Sequence, residues 1–146
     1  MQDEWSRNLL VNRPDLKKEQ LLSTIEAMDL ALPDSNVENY TPLIQGIHLP
    51  DPNDRHVVAA AIRSRADIIV TYNLKDFPKS VINEFDIEIQ HPDIFLSNVF
   101  DFNPEKARAA FKKLVKRLDN PPKSPSEILE TLGNSNLKET VKRLKN

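Results

Sequence analysis

Apolar residues recur at helical spacing in the first part of the chain and predict four helices. Trp5, Leu9 and Leu10 share one side of the first, which is expected to end before Pro14. The others are expected over about residues 16–32, 52–65 and, as a short helix, 78–85. The apolar stripe of the 16–32 helix comprises Leu21, Leu22, Ile25, Met28 and Leu32. The inward-facing side of the 52–65 helix is expected to comprise Val57, Val58, Ala61 and Ile62.

Two β-branched runs predict strands between these helices. "DIIVT" (67–71) is short and nearly continuous in apolar residues, which indicates a strand buried on both faces of a parallel sheet. "IEIQ" (87–90) predicts a second strand, and residues 36–49 fit either a short strand or one helical turn. The alternation of helix and strand predicts an α/β fold in which helices connect parallel strands.

From about residue 92 the strand signals stop and only helices are predicted. "HPDIFLSNVF" predicts one helix, and residues 103–118 predict another that opens with a capping asparagine and a proline. A further helix is expected to be capped by Ser124 and terminated by Gly133, and a last one covers about 136–145. The final third therefore predicts a helical extension on a small α/β body.

Composition narrows the class of protein. A chain of 146 residues is about one domain, and 39% hydrophobic with 29% charged residues is typical of soluble globular proteins. The chain has no cysteine, which excludes disulfides, thiolate metal sites and cysteine nucleophiles. Its two glycines leave no glycine-rich phosphate loop. Neither a signal peptide nor a spanning segment is evident, so a cytoplasmic location without a membrane role is expected.

The acidic residues around these elements have a structural interpretation. Asp51 is well placed to cap the helix that Pro52 opens, and Asp54 lies near the positive end of that helix. Asp76 could likewise cap the helix that Pro78 opens. On residue types alone, this interpretation is at least as good as a functional one.

Sheet geometry favours a second interpretation, in which acids converge on a metal ion. Thr71, Asn73 and Asp76 leave the carboxyl end of a predicted parallel strand, where ligand crevices form. Asp54 could reach the same edge from its helix, and Glu4 could be a third contributor. Clustered carboxylates repel one another unless a hard divalent cation such as Mg²⁺ or Mn²⁺ lies between them. Such an ion can assist water in attacking a phosphodiester.

Three quoted stretches resemble one protein family. "LPDPNDRHVVAAAIRSRADIIVTYNLKDFP" resembles PIN domains, in the branch with Asp-Pro-x-Asp-Arg-His, an alanine-rich helix, and Thr-x-Asn-x-x-Asp-Phe. "DEWSRNLL" resembles the family helix that carries an acidic metal ligand, with Glu4 at the matching place. The tail from "FDFNPEKARAAFKKL" onward resembles the helical C-terminal domain of some toxins of this branch.

The resemblance implies a three-layer α/β/α PIN-like fold with a short parallel sheet over residues 1–98, and a helical domain over 99–146. It implies a VapC-like toxin of a type II toxin–antitoxin system, an endoribonuclease that uses Mg²⁺ or Mn²⁺. The implied partners are RNA, an antitoxin, and a second copy or another chain. The residues that match the family's catalytic metal ligands are Glu4, Asp54 and Asp76. Supporting residues are Thr71, Asn73 and Asp51, and Arg55 and Lys75 are expected to contact RNA.

One departure from the family changes the expected activity. PIN domains open with a strand that bears an aspartate, followed by a helix, and no such segment precedes Glu4. The expectation is therefore an N-terminally truncated domain that is impaired as a nuclease.

Two other functions are to be weighed against the nuclease. The first is a non-catalytic PIN remnant that binds an antitoxin or a sister toxin chain as a regulator. The second is a receiver domain of the response-regulator type, which also clusters acids on an α/β sheet. The receiver is disfavoured because its acidic pair should follow the first strand, and no such order is present.

Overall fold

Two short parallel strands form the sheet in the described part of the chain. The computed structural model describes Ser6, residues 9–118 and residues 121–146. Strand β1 (Ile68–Val70) pairs with β2 (Glu88–Gln90), and Ile69 lies opposite Ile89. The chain divides into two units, one up to Asp67 and one from Ile68 onward.

The first unit is helical in its described part. Residues 9–12 are helical and are followed by α1 (Lys18–Ala31). Three 3-10 helices, Pro33–Ser35, Thr41–Gly46 and Pro52–Asp54, then lead into α2 (Arg55–Ser64). Helix α2 packs against the 3-10 helix Thr41–Gly46. The helix ends because Arg65 adopts a left-handed conformation, with φ of 55°.

Small and β-branched side chains make up the core of the first unit. Val58 and Ala59 are fully buried, and Ala60 and Ile47 are nearly so. The prediction that Val58 and Ala61 pack inward is confirmed, whereas Val57 and Ile62 are only half-buried. Ala59 and Ala60 are buried as well, which apolar periodicity did not predict.

The bounds of α1 confirm the predicted helix, but its apolar stripe is mostly exposed. Leu21 is buried, whereas Leu22, Met28 and Leu32 are 50%, 45% and 64% exposed. Helical spacing identifies which side chains share a face, but burial depends on whether another element packs there. Of the two structures expected for residues 36–49, the helical one is observed, as the 3-10 helix Thr41–Gly46.

The second unit contains the sheet and five helices among its described residues. Helix α3 (Lys79–Ile82), extended by the 3-10 turn Asn83–Phe85, connects β1 to β2. The remaining four are α4 (Pro92–Phe102), α5 (Pro104–Arg117), α6 (Pro125–Asn134) and α7 (Lys138–Lys145). The predicted α/β class, with a short parallel sheet and additional C-terminal helices, is confirmed. The described helices include none long and apolar enough to cross a membrane.

Two local predictions in this unit were wrong. Strand β1 was expected to be buried on both faces, but Ile69 is buried while Val70 is 41% exposed. Gly133 was expected to terminate its helix, but it lies within α6, which continues to Asn134. The left-handed residue that follows this helix is instead Asn136, whose φ is 61°. Asparagine tolerates the left-handed conformation better than most residues do.

Candidate functional site

Asp51 and Asp54 lie where the 3-10 helix Pro52–Asp54 leads into α2. The Asp51 carboxylate accepts a hydrogen bond from the Asn53 N–H at 2.8 Å, which confirms the predicted cap. Asp54 is half-buried where the 3-10 helix gives way to α2, and its side chain does not cap α2. Arg55 donates from Nε to the Pro52 carbonyl at 2.9 Å. The capping hydrogen bond is therefore made by Asp51 and not by Asp54.

The segment that follows β1, residues 71–76, is organised by its own polar side chains and is called here the Thr71 loop. The Thr71 N–H donates to the Gln90 carbonyl at 3.0 Å, which fixes the loop to the end of β2. Thr71 Oγ1 accepts from the Asn73 N–H at 3.0 Å, and the Asn73 amide donates to the Asp76 carboxylate. These three predicted residues are therefore brought together at the carboxyl end of β1.

The structural interpretation of Asp76 as a helix cap is wrong. Helix α3 begins after Pro78, and no side chain caps it. Asp76 ends the 3-10 turn Leu74–Asp76, and its carboxylate accepts from Asn73 instead. The half-buried Asp76 side chain is thus oriented by an amide group rather than used to hold a helix end.

The Thr71 loop offers oxygen atoms, which are the type of ligand that a hard divalent cation binds. A carboxylate has room for about four acceptor contacts, so Asp76 keeps acceptor capacity beyond its bond to Asn73. Oxygen donors are the ligands that Mg²⁺ and Mn²⁺ prefer. Across residues 9–118 and 121–146, no group of three or more histidine or acidic side chains is close enough to hold a metal ion. Glu4, the third predicted ligand, lies outside the described residues.

The second unit contains a buried carboxylate that sequence analysis did not single out. Asp93, in the first turn of α4, accepts from the N–H groups of Glu139 and Thr140 at 2.9 and 2.8 Å. Burial alone would raise the pKa of Asp93. Hydrogen bonds from the two N–H groups and from the Thr140 hydroxyl outweigh burial and lower the pKa of Asp93 below its ordinary value. This group is structural, since it joins α4 to the start of α7.

Sequence offers one signal for Asp93. His91 and Pro92 mark the start of α4, and the His91 ring accepts from the Asp93 N–H at 3.1 Å. An acid in the first turn of a helix interacts favourably with the positive end of the dipole of that helix. Its acceptance of hydrogen bonds from a helix 46 and 47 residues later in the chain could not be predicted from that position.

Comparisons with known proteins match the two parts of the chain to two families. Residues 3–75, half of the chain, match the PIN domain family, and residues 92–146 match the VapC50 C-terminal domain family. A Mycobacterium tuberculosis protein named "Putative ribonuclease VapC50" is 42% identical over 80 residues, which cover 55% of this chain. The match spans 47% of that protein's length. No solved structure matches significantly. The extent of the first match places the chain in a known family: it belongs to the PIN domain family.

Proposed function

We propose that this chain is a VapC-like toxin of a type II toxin–antitoxin system, a Mg²⁺- or Mn²⁺-dependent endoribonuclease. Two findings support the assignment: the PIN domain match, and the relative named a ribonuclease. The single observation that carries it is the Thr71 loop, in which Asn73 holds the Asp76 carboxylate at the end of β1. This is the edge of a parallel sheet at which ligands bind in α/β folds.

The two family matches support a functional division of the chain into two domains. Residues 1–98 would form the nuclease domain and residues 99–146 a helical C-terminal domain. The PIN domain match to residues 3–75 supports the first assignment, and the VapC50 C-terminal match to residues 92–146 supports the second.

The proposed metal ligands are Glu4, Asp54 and Asp76, with Thr71, Asn73 and Asp51 in support. An ion held by these residues would supply positive charge to the scissile phosphate and would make a water molecule more acidic. The task of Asn73 is to orient the Asp76 carboxylate before the ion binds, and the task of Thr71 is to fix the Asn73 backbone. Preorganised donors of this kind lower the cost of assembling a site.

Two cations are proposed to position the RNA backbone. Arg55 is anchored to Pro52 through Nε, which leaves the other guanidinium nitrogens available for a phosphate. Lys75 is exposed in the Thr71 loop, next to Asp76. Both would contribute salt-dependent affinity rather than sequence specificity.

The proposed setting is the cytoplasm, and the proposed partners are an antitoxin, the RNA substrate, and a second copy or another chain. We further propose that these 146 residues cleave RNA weakly by themselves. The family's additional aspartate, which is carried by a strand, has no counterpart among them.

The test of the nuclease proposal is RNA cleavage by the purified chain with Mn²⁺, and its suppression by EDTA. Asp76→Asn is expected to lower cleavage by about a hundredfold or more, since a metal ligand carries much of the transition-state stabilisation. The matched control is Asp86→Asn, because Asp86 is exposed and its left-handed backbone, φ of 57°, suits asparagine. Equal cleavage by the Asp76 variant and the wild type would overturn the assignment. The proposal that these residues cleave RNA weakly is contradicted if the chain cleaves as fast as the Mycobacterium tuberculosis relative under the same conditions.

A further inference from the structure

The C-terminal helices carry a net positive charge, although the net charge of the whole chain is −2. Residues 104–146 contain eleven lysine and arginine residues against five acidic ones, a net charge of +6. Residues 1–103 contain nine against seventeen, a net charge of −8. A charge asymmetry of this size indicates that the basic region has an anionic partner.

Part of this charge borders a groove in the second unit whose exposed lining is mostly apolar. The groove has a volume of about 420 Å³ and is formed by α5, the first turn of α6 and Leu144 of α7; it is called here the α5 groove. Arg108, Lys112 and Lys116 line it along α5. Since they lie four residues apart, their positions repeat about every 6 Å along the helix axis.

Helix electrostatics do not account for this row of cations. Lysine and arginine are favoured in the last turn of a helix, which explains Lys116 but not Arg108 or Lys112. Like charges four residues apart destabilise a helix. Among the residues that the structure describes, Lys112 and Lys116 form no ion pair that would relieve this repulsion. An external anion would relieve it.

The remaining lining of the α5 groove is apolar and includes an aromatic ring. Phe111 and Val115 project from α5, and Leu144 faces them from α7. Phe111 is half-buried, so the groove leaves part of its ring accessible. The Arg108 guanidinium lies 5.1 Å from the centre of the Phe100 ring, which holds this cation in place at the groove.

We propose that the α5 groove binds single-stranded RNA, with Arg108, Lys112 and Lys116 on successive phosphates and Phe111 against a base. A positive groove combined with an aromatic surface is how proteins bind single strands without reading their sequence. An acidic peptide would also satisfy the charges, but the regular row of cations and the accessible ring favour a repeating polyanion with flat bases. The identity of the ligand as RNA rests on the proposed ribonuclease function.

Binding to a fluorescein-labelled oligouridylate, measured by anisotropy in EDTA, tests the groove without any cleavage. The full chain carrying both Lys112→Glu and Lys116→Glu is expected to bind about tenfold more weakly or worse, because two phosphate contacts are lost. The magnitude of its log–log salt slope should fall by about 1.4, at roughly 0.7 per phosphate for a single strand. Circular dichroism checks that each variant folds.

The matched control carries Lys113→Glu and Arg117→Glu. These residues are exposed on the same helix with the same spacing and charge change, but they do not line the groove. Their reversal should weaken binding much less than that of the groove pair. Equal weakening by the two pairs would show diffuse attraction to a basic surface and would overturn the groove assignment.

The ring is tested by Phe111→Leu, which keeps an apolar side chain but removes the stacking surface. Binding should weaken about fivefold or more, with the salt slope unchanged. Unchanged affinity in this variant would overturn the proposed base contact. Displacement of the RNA by polyglutamate at an equal concentration of charge would identify an acidic protein as the ligand instead. The groove variants are scored by RNA affinity in EDTA, and Asp76→Asn by Mn²⁺-dependent cleavage, so the groove proposal and the nuclease proposal can fail independently.

Discussion

Asp93 on α4 and Thr140 on α7 form the central polar contact between these two helices. One Asp93 oxygen accepts from both the N–H and the hydroxyl of Thr140, each at 2.8 Å, and the other accepts from the Glu139 N–H at 2.9 Å. Both side chains are 8% exposed. The first-turn N–H groups of a helix have no intrahelical partner. Asp93 therefore satisfies two such groups and anchors the C-terminal helix of the chain.

Asp93→Asn is expected to destabilise the protein by about 1–3 kcal/mol, because the substitution removes a charged acceptor and leaves buried donors poorly paired. Urea unfolding, followed by circular dichroism, measures the change. The control is Asp101→Asn, which breaks the exposed pair that Asp101 forms with Arg143 at 2.8 Å on the same two helices. Its effect should be much smaller. A comparable loss of unfolding free energy in both variants would contradict a special role for Asp93.

The depressed pKa of Asp93 predicts a contribution to acid unfolding. Its folded pKa lies below the ordinary value of 3.8, so the stabilisation is present above the unfolded pKa. The stabilisation is lost as the pH falls through the folded pKa. We expect the unfolding free energy of the wild type to decrease below about pH 4 more steeply than that of Asp93→Asn. Parallel pH curves for the two proteins would refute this contribution.

Asp51 and Asp54 provide a matched test of the two interpretations of the acidic residues. Asparagine caps helices about as well as aspartate, so Asp51→Asn should preserve both stability and RNA cleavage. Asp54→Asn should lower Mn²⁺-dependent cleavage by about a hundredfold or more, since it removes a proposed ligand. Single-turnover cleavage and thermal unfolding separate the two effects. Full cleavage by the Asp54 variant would exclude it from the metal site.

Thr71→Val tests whether the Thr71 loop is preorganised. Valine keeps the β-branched shape but removes the oxygen that accepts the Asn73 N–H. The loop should then hold Asp76 less firmly, so that a higher Mn²⁺ concentration is needed for half-maximal cleavage, while the rate at saturating Mn²⁺ changes little. Val70→Thr, one residue earlier in β1 and exposed, is the control. A lower saturated rate with unchanged Mn²⁺ dependence would contradict the positioning role.

Gly133→Ala is expected to stabilise the protein by about 0.5–1 kcal/mol. Gly133 lies inside α6 with negative φ, and a Cβ there would meet nothing within 4 Å. Alanine favours the helix because it loses less backbone entropy than glycine on folding. Gly133→Pro at the same position should destabilise instead, because proline is incompatible with a helix interior. Thermal unfolding measures both, and a destabilising alanine would indicate a left-handed position.

Local chemistry explains which helix boundaries the sequence predicted. Asn103 caps α5 by accepting the Lys106 N–H at 3.0 Å, and Ser124 with Glu127 forms a capping box on α6. These signals act within four residues, so they hold whatever packs nearby. The Thr71 loop was predictable for the same reason, since its donors and acceptors lie within six residues of one another.

The sequence by itself determined the α/β class, the strand and helix positions, the family, and the local grouping of Thr71, Asn73 and Asp76. Only the tertiary structure decided that most of the α1 stripe is exposed, that Asp93 caps a distant helix, and that three cations of α5 border a groove. The physical reason is the distance along the chain over which each interaction acts. Capping, turn formation and periodicity depend on neighbouring residues, whereas burial, pKa and groove formation depend on surfaces that the folded chain brings together.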